Sequence, residues 1–181
     1  QHNKREFIKL LSRIASDKEY KQKVIPLIDI YQFDSIGQTL KDPERTPIIC
    51  ATSRLVEQKG YDIAVQAILN LAQKYGRFRS HLPVFILGGA GDANYFELLM
   101  KLKDKVAEVD KKTAERIYVF RGYKDEFAYA IQLASDFYMM PCRFEPCGLT
   151  QLVSLRYGTV PIVRETGGLK DTVVPYNKYT D

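Results

Sequence analysis

The chain has 181 residues, 45% of them hydrophobic and 27% charged, with 27 basic against 22 acidic side chains and a formal net charge of +5. That suffices for one domain of ~100–200 residues with a full core, is too short for two, and argues against wholesale disorder. No apolar run approaches the ~20 residues of a membrane helix, no signal peptide opens the sequence, and three cysteines without a CxxC pair make no disulfide framework, so a reducing cytoplasm is the expected compartment.

The sequence opens on QHNKREF, without an initiating Met and already in a helical pattern, so a piece of a longer protein is expected. Phe7, Leu10, Leu11, Ile14 and Ala15 share one face of that first helix. Lys4, Arg5, Lys9, Arg13, Lys18, Lys21 and Lys23 hold much of the positive excess and read as its solvated face. A nucleic-acid surface would interleave aromatic side chains with such cations. This stretch lacks them, and no nucleic-acid partner is expected. Residues 24–46 read as irregular, with Pro26, Gly37 and Pro43 as breakers. Residues 1–46 are therefore taken as a lead-in segment and 47–181 as the ligand-binding domain.

From Pro47 onward the signals become regular. Apolar runs of strand length occupy Ile48–Thr52, Val84–Leu87, Ile117–Phe120, Phe137–Met140 and Val160–Val163. Helical stripes lie between them: Ile63, Ala64, Ala67, Ile68, Leu71, Ala72 and Tyr75, stopped by Gly76; then Leu99, Leu102, Val106 and Val109; then Phe127, Ala130, Ile131 and Ala134. A fourth stripe starts with Leu149, Leu152 and Val153 and ends before Gly158. Strands alternating with helices predict an α/β fold, a Rossmann-like parallel sheet with helices on both faces. Ligands of such sheets bind beyond the carboxyl ends of the strands.

The loops at those ends carry the chemistry. After the first strand, Arg54 and Lys59 are either two cations converging on a diphosphate or two solvated loop charges. After the second, Gly88, Gly89 and Gly91 permit close backbone approach but form no GxGxxG, and Asp92 reads as a helix N-cap in preference to a ribose ligand. Tyr123, just past the third strand, is either a platform for a nucleobase or a packed loop residue. The fourth strand runs into MMPCRFEPCGLTQ, where the amides around Gly148, Leu149 and Thr150 open a helix and suit an anion. Glu145, just ahead of that positive end, caps the helix, accepts from sugar hydroxyls, or faces positive charge building on a sugar ring. Gly167 and Gly168 begin another amide-rich turn. Convergence of several phosphate-compatible loops on one sheet edge makes a nucleotide diphosphate the expected ligand. His2 and His81 have no metal-ligand spacing, so zinc chemistry and a His-driven triad are poorly supported.

SRLVEQKG, GGAGD, RGY, RFEPCGLTQ and LRYGTVPIVRETGGLKDTV, in that order over about residues 47–174, resemble the C-terminal domain of bacterial glycogen synthases and plant starch synthases, glycosyltransferase family 5, with the GT-B fold. RFEPCGLTQ with YGTVPIVRETGGLKDT is the most specific part, because more general GT-B enzymes keep only a looser EPxG pattern. Val153 stands where many GT-B transferases carry a second Glu, as is usual in the synthase branch.

The resemblance implies a nucleotide-sugar donor domain for residues 47–181, with Arg54 and Lys59 on the diphosphate and Tyr123 on the base. It implies Glu145 on the glucose hydroxyls, and Cys147, Gly148, Leu149 and Thr150 supplying amides or a hydroxyl to the sugar and distal phosphate. Gly167 and Gly168 would shape the neighbouring loop. The implied reaction moves glucose from ADP-glucose, or UDP-glucose, to the non-reducing end of an α-1,4-glucan with retention, without a metal ion or cofactor. The glucan acceptor would be held mainly by an N-terminal domain not in this chain, and the chain alone is expected to be inactive. The implied compartment is the cytoplasm, or a plastid for a plant synthase. A non-catalytic nucleotide- or glucan-binding module of the same fold is the alternative; a dinucleotide-binding oxidoreductase domain is disfavoured by the missing GxGxxG.

Overall fold

The computed structural model describes residues 2–24, 28–31, 33, 36–40, 42, 45–75, 82–177 and 179. Gly76, Pro26, Pro43 and His81 lie outside them. The elements run α1 (His2–Ser16), α2 (Lys18–Val24), β1 (Asp29–Tyr31), α3 (Ile36–Thr39), β2 (Ile48–Thr52), a 3-10 turn (Glu57–Lys59), α4 (Tyr61–Tyr75), β3 (Val84–Gly89) and α5 (Ala93–Val109). They continue with α6 (Lys111–Ala114), β4 (Ile117–Arg121), α7 (Asp125–Ala134), β5 (Phe137–Met140), α8 (Thr150–Tyr157), β6 (Val160–Val163) and α9 (Gly167–Thr172).

The sheet has the order β1-β4-β3-β2-β5-β6. Its last five strands are parallel, and β1 joins the β4 edge antiparallel, with Ile30 opposite Phe120. The five expected strands all form, β3 and β4 running on to Gly89 and Arg121. β1 and α3 fall in the stretch read as irregular: three residues of strand and one helical turn are too short to show a period.

Strand alternation divides the core into two layers. Ile48, Cys50, Val84, Ile86, Tyr118 and Phe120 face α1 and α7, meeting Phe7, Leu11, Ile14, Phe127 and Ile131. Ala51, Phe85, Leu87, Ile117 and Val119 face α4 and α5, meeting Val65, Ile68, Leu99, Leu102 and Val106. Both faces of β3 are buried, which is why VFILGG is an unbroken apolar run instead of an alternating one.

Three expectations on the helices need correction. The basic N-terminal stretch is two helices, and Lys4 is buried, its Nζ donating to Asp136 Oδ2 and the Thr46 carbonyl, both at 2.7 Å. In α4 the inward face is Tyr61, Ala64, Val65, Ile68 and Ala72, while Ala67 and Tyr75 are exposed, as is Val109 in α5. The largest difference is in α8: Leu149, just ahead of it, is 69% exposed, Leu152 and Leu155 are exposed too, and Gln151 and Ser154 are buried. Hydrogen bonding explains this. Ser154 Oγ accepts from Gln132 Nε2 at 2.6 Å and donates to the Thr150 carbonyl, and Gln151 bonds three partners described below. Satisfied polar groups thus hold the helix in an orientation that its leucines alone would not select.

Chain order fixes where a ligand can enter. From β2 the chain proceeds outward through β3 to β4, then returns to the other side of β2 for β5 and β6. The connections after β2 and β5 therefore diverge to opposite sides, and a crevice opens between the carboxyl ends of these two neighbours.

Candidate functional site

Lys59 and Glu145 meet at that crevice. Lys59 ends the 3-10 turn after β2, and Glu145 lies in the loop between β5 and α8. Lys59 Nζ is 2.5 Å from Glu145 Oε2, with side chains only 16% and 12% exposed. Two residues expected to hold different parts of a ligand thus hold each other in the free protein. Beside them is a small cleft lined by Ser53, Lys59, Tyr61, Tyr138, Cys142 and Thr150.

Several local features produce this approach. Gly60 adopts a left-handed conformation (φ 67°), and a Cβ there would stand 2.1 Å from the Pro141 carbonyl oxygen. Only glycine lets the two chains touch at that point. Tyr61 and Tyr138 brace the strand ends from beneath. Tyr61 Oη donates to the Gly88 carbonyl at 2.9 Å and accepts from Ser53 N–H at 3.0 Å. Tyr138 Oη donates to the Thr52 carbonyl. Burial raises both phenols, so each remains a neutral donor near neutral pH. Cys142 Sγ lies 3.5 Å from Glu145 Oε2; burial pushes its thiol up to about 11, partly opposed by nearby Lys59, so it also stays protonated and donates.

The loop bearing Glu145 is fastened from its other side by α9. Added Cβ atoms on Gly167 and Gly168 would stand 2.2 Å from the Glu145 carbonyl oxygen and 2.0 Å from that of Cys147. Gly168 N–H donates to the Glu145 carbonyl at 2.9 Å. Gln151 supplies a further tie: its Nε2 donates to the carbonyls of Cys147 (3.3 Å) and Gly148 (2.7 Å) and to Thr172 Oγ1 (3.0 Å). Three acceptors around one nitrogen settle which way the amide points. Its Oε1 is the one buried side-chain nitrogen or oxygen without a partner among the described residues. No side chain caps the start of α8, so its first-turn amides are available to an outside anion.

The remaining expected residues spread along the same sheet edge. Arg54 is exposed in the loop before the 3-10 turn, and its guanidinium has no hydrogen bond or ion pair among the described residues. Cys147, Gly148, Leu149 and Thr150 lead into α8 beside Glu145, with Cys147 and Leu149 exposed. Tyr123 stands apart, beyond β4 and so three strands from β5, ~14 Å at ordinary strand spacing. The residue is 54% exposed, and its hydroxyl donates to Asp125, a bond that pushes the phenol up to about 12. The glycines at and after the end of β3 approach neighbouring backbone: a Cβ on Gly89 would meet the Ser53 carbonyl, and Asp92 caps α5 by accepting from Asn94 N–H at 2.8 Å. Among the described residues no group of three His, Cys, Asp or Glu side chains is placed to hold a metal ion, and no helix is long and apolar enough to cross a membrane.

Arg143, the first residue of RFEPCGLTQ, has a role that the sequence did not assign to it individually. Its guanidinium binds Asp62 two-pronged, Nη1 to Oδ1 at 2.8 Å and Nη2 to Oδ2 at 2.7 Å. Asp62 is held below the usual carboxylate range, chiefly by the hydrogen bond from Arg143. The pair could have been suspected only from two opposite charges near Lys59 and Glu145, one in the first turn of α4 and one in the β5–α8 loop, whose adjacency no local pattern gives.

Residues 32–179 match the family model of glycosyl transferases group 1, and the chain belongs to that family. Its sequence is similar to glycogen synthase of Clostridium kluyveri, 44% identical over 137 residues, which is 76% of this chain and 26% of that protein. Glycogen synthase 2 of Geobacter sulfurreducens is also 44% identical, over 133 residues, covering 74% of this chain and 25% of the relative. Among solved structures, the catalytic domain of starch synthase IV from Arabidopsis thaliana bound to ADP and acarbose aligns with a TM-score of 0.57 and 31% identity, over 76% of this chain and 26% of that one. The expected fold, that of the C-terminal half of a GT-B glycosyltransferase, is the one observed. The chain spans about a quarter of the length of these relatives.

Proposed function

We propose that this chain is the nucleotide-sugar-binding part of a retaining glucosyltransferase that moves glucose from ADP-glucose to the non-reducing end of an α-1,4-glucan. The observation that carries the reading is the Lys59–Glu145 pair at the crevice between β2 and β5, 2.5 Å apart and nearly buried, in a chain similar to glycogen and starch synthases. A cation and a carboxylate held together there answer the two halves of a sugar diphosphate. Lys59, with the unengaged Arg54, takes the phosphate oxygens and stabilises the departing nucleoside diphosphate. Glu145 accepts from the glucose hydroxyls and faces the positive charge that develops on the ring. The amides leading into α8, from Gly148 to Thr150, meet the sugar and distal phosphate, with Gly167 and Gly168 holding that loop in place. Tyr123 stacks on the base.

Charge neutralisation by Arg54 and Lys59 leaves no step that calls for a metal ion. The acceptor glucan is bound chiefly by protein outside this chain. The starch synthase carrying ADP supports adenine as the base, and ADP-glucose is chosen over UDP-glucose on that ground. Calorimetry with ADP, ADP-glucose and UDP-glucose tests the reading. Wild type is expected to bind ADP-glucose more tightly than UDP-glucose, and Lys59→Ala to bind ADP about tenfold more weakly, the loss of roughly one charge-assisted contact. Equal affinity in Lys59→Ala and wild type would remove the assignment of this cleft.

A further inference from the structure

The ladder between β2 and β5 is only two residue pairs long, Ile49 with Phe137 and Cys50 with Tyr138. Lys59 lies nine residues beyond its end and Glu145 seven, on connections that lead to opposite sides of the sheet. Sheet pairing alone cannot set the separation of two side chains carried so far from it. Some tie between the loops must.

We propose that Arg143 is a positioning residue that fastens the turn bearing Lys59 to the loop bearing Glu145; the proposal rests on reading this cleft as a donor site. Besides its fork on Asp62, Arg143 Nη1 donates to the Glu57 carbonyl at 3.0 Å, and its backbone N–H donates to the Gln58 carbonyl at 2.8 Å. Gln58 Nε2 returns a bond to the Phe144 carbonyl at 3.2 Å. Glu57 and Gln58 immediately precede Lys59, Asp62 lies three residues after it, and Phe144 immediately precedes Glu145. The tie therefore grips both sides of Lys59 and the residue next to Glu145. A planar guanidinium bound at both prongs fixes orientation as well as distance, which a lysine there would not do. The Arg143 and Asp62 side chains are 35% and 42% exposed, so the bridge adds little to global stability. Its effect is local and geometric. An aspartate is ionised through the neutral range in any case, and the hydrogen bond from Arg143 lowers the Asp62 carboxyl further, so the tie does not loosen there.

A thermodynamic cycle separates this role from general stabilisation. ADP binding is measured by calorimetry for wild type, Lys59→Ala, Arg143→Gln and the double variant, with thermal melts to confirm folding. Arg143→Gln is expected to weaken ADP about fivefold, and the double variant to bind no more weakly than Lys59→Ala, within the ~twofold scatter of additive effects. Asp62→Asn, tested beside it, is expected to reproduce Arg143→Gln and serves in its place if that variant does not fold. Independent, multiplying losses in the double variant would overturn the proposal while leaving the donor site standing, as would unchanged binding in the single variant. Unchanged binding in Lys59→Ala would overturn the donor-site reading, and this proposal with it.

Discussion

Lys59 and Glu145, 86 residues apart in the chain, are joined by a 2.5 Å ion pair between loops from neighbouring strands. The pair makes the free site self-neutralising. A ligand that brings only phosphates competes with Glu145 for Lys59, whereas one that also brings sugar hydroxyls can engage both.

Glu145→Gln is accordingly expected to divide two ligands that a simple loss of contact would treat alike. ADP should bind about threefold to tenfold more tightly, because Lys59 is released from its partner, while ADP-glucose should gain less or lose affinity. Calorimetric titration of both ligands checks this, and a parallel weakening of the two would count against competition.

Removing the lysine has a separate cost in stability. Lys59→Ala leaves a carboxylate that is only 12% exposed without its cation. A loss of about 3 kcal/mol is expected, at the low end for breaking a buried pair from one side. Denaturant melts of Lys59→Ala and of the double variant Lys59→Met/Glu145→Leu measure it; the double variant should recover most of the loss.

Two glycines should respond in opposite ways to alanine. Gly168→Ala puts a methyl 2.0 Å from the Cys147 carbonyl oxygen, so the loop carrying Glu145 must shift and ADP-glucose binding should fall about tenfold or more. Gly158, the left-handed residue ending α8, has nothing within 4 Å of an added Cβ. Gly158→Ala should cost about 1 kcal/mol of stability from the backbone conformation alone and leave binding unchanged.

Acid should weaken the protein through Asp62 only slightly, as expected of a half-exposed bridge. Its folded-state carboxyl is held below the usual range by Arg143, so the unfolded chain binds the proton more readily. The stabilisation is complete above the ordinary aspartate range near 4 and is lost as pH falls through the depressed folded value. Melting curves from pH 2 to 7 should show a slightly shallower acid limb in Arg143→Gln than in wild type.

The sheet was legible because strands buried on both faces read as apolar runs, as in VFILGG and IYVFR, and the loops at their ends were found by the geometry of parallel sheets. β1 was not, since DIY is an edge strand of three residues without an apolar run. The stripe around α8 was read inside out because its orientation follows the hydrogen bonds of Gln151 and Ser154, and periodicity registers hydrophobicity alone. The candidate residues could be picked out from their loops, but not the Lys59–Glu145 and Arg143–Asp62 pairings. Those depend on β2 lying beside β5, a matter of strand order that no local pattern contains.

The short ladder between β2 and β5 also bears on how the molecule is made. It closes a loop of nearly ninety residues with two residue pairs, Ile49–Phe137 and Cys50–Tyr138, among the most sequence-distant contacts of the sheet. Contacts of such separation reward the chain only after their closure entropy has been spent, so they form slowly. The cleft is then expected to be completed late in folding, and on the donor-site reading nucleotide affinity is expected only once that closure has taken place. A ligand present during refolding would hold the closed arrangement by mass action, acting on the last step of folding and leaving the first untouched.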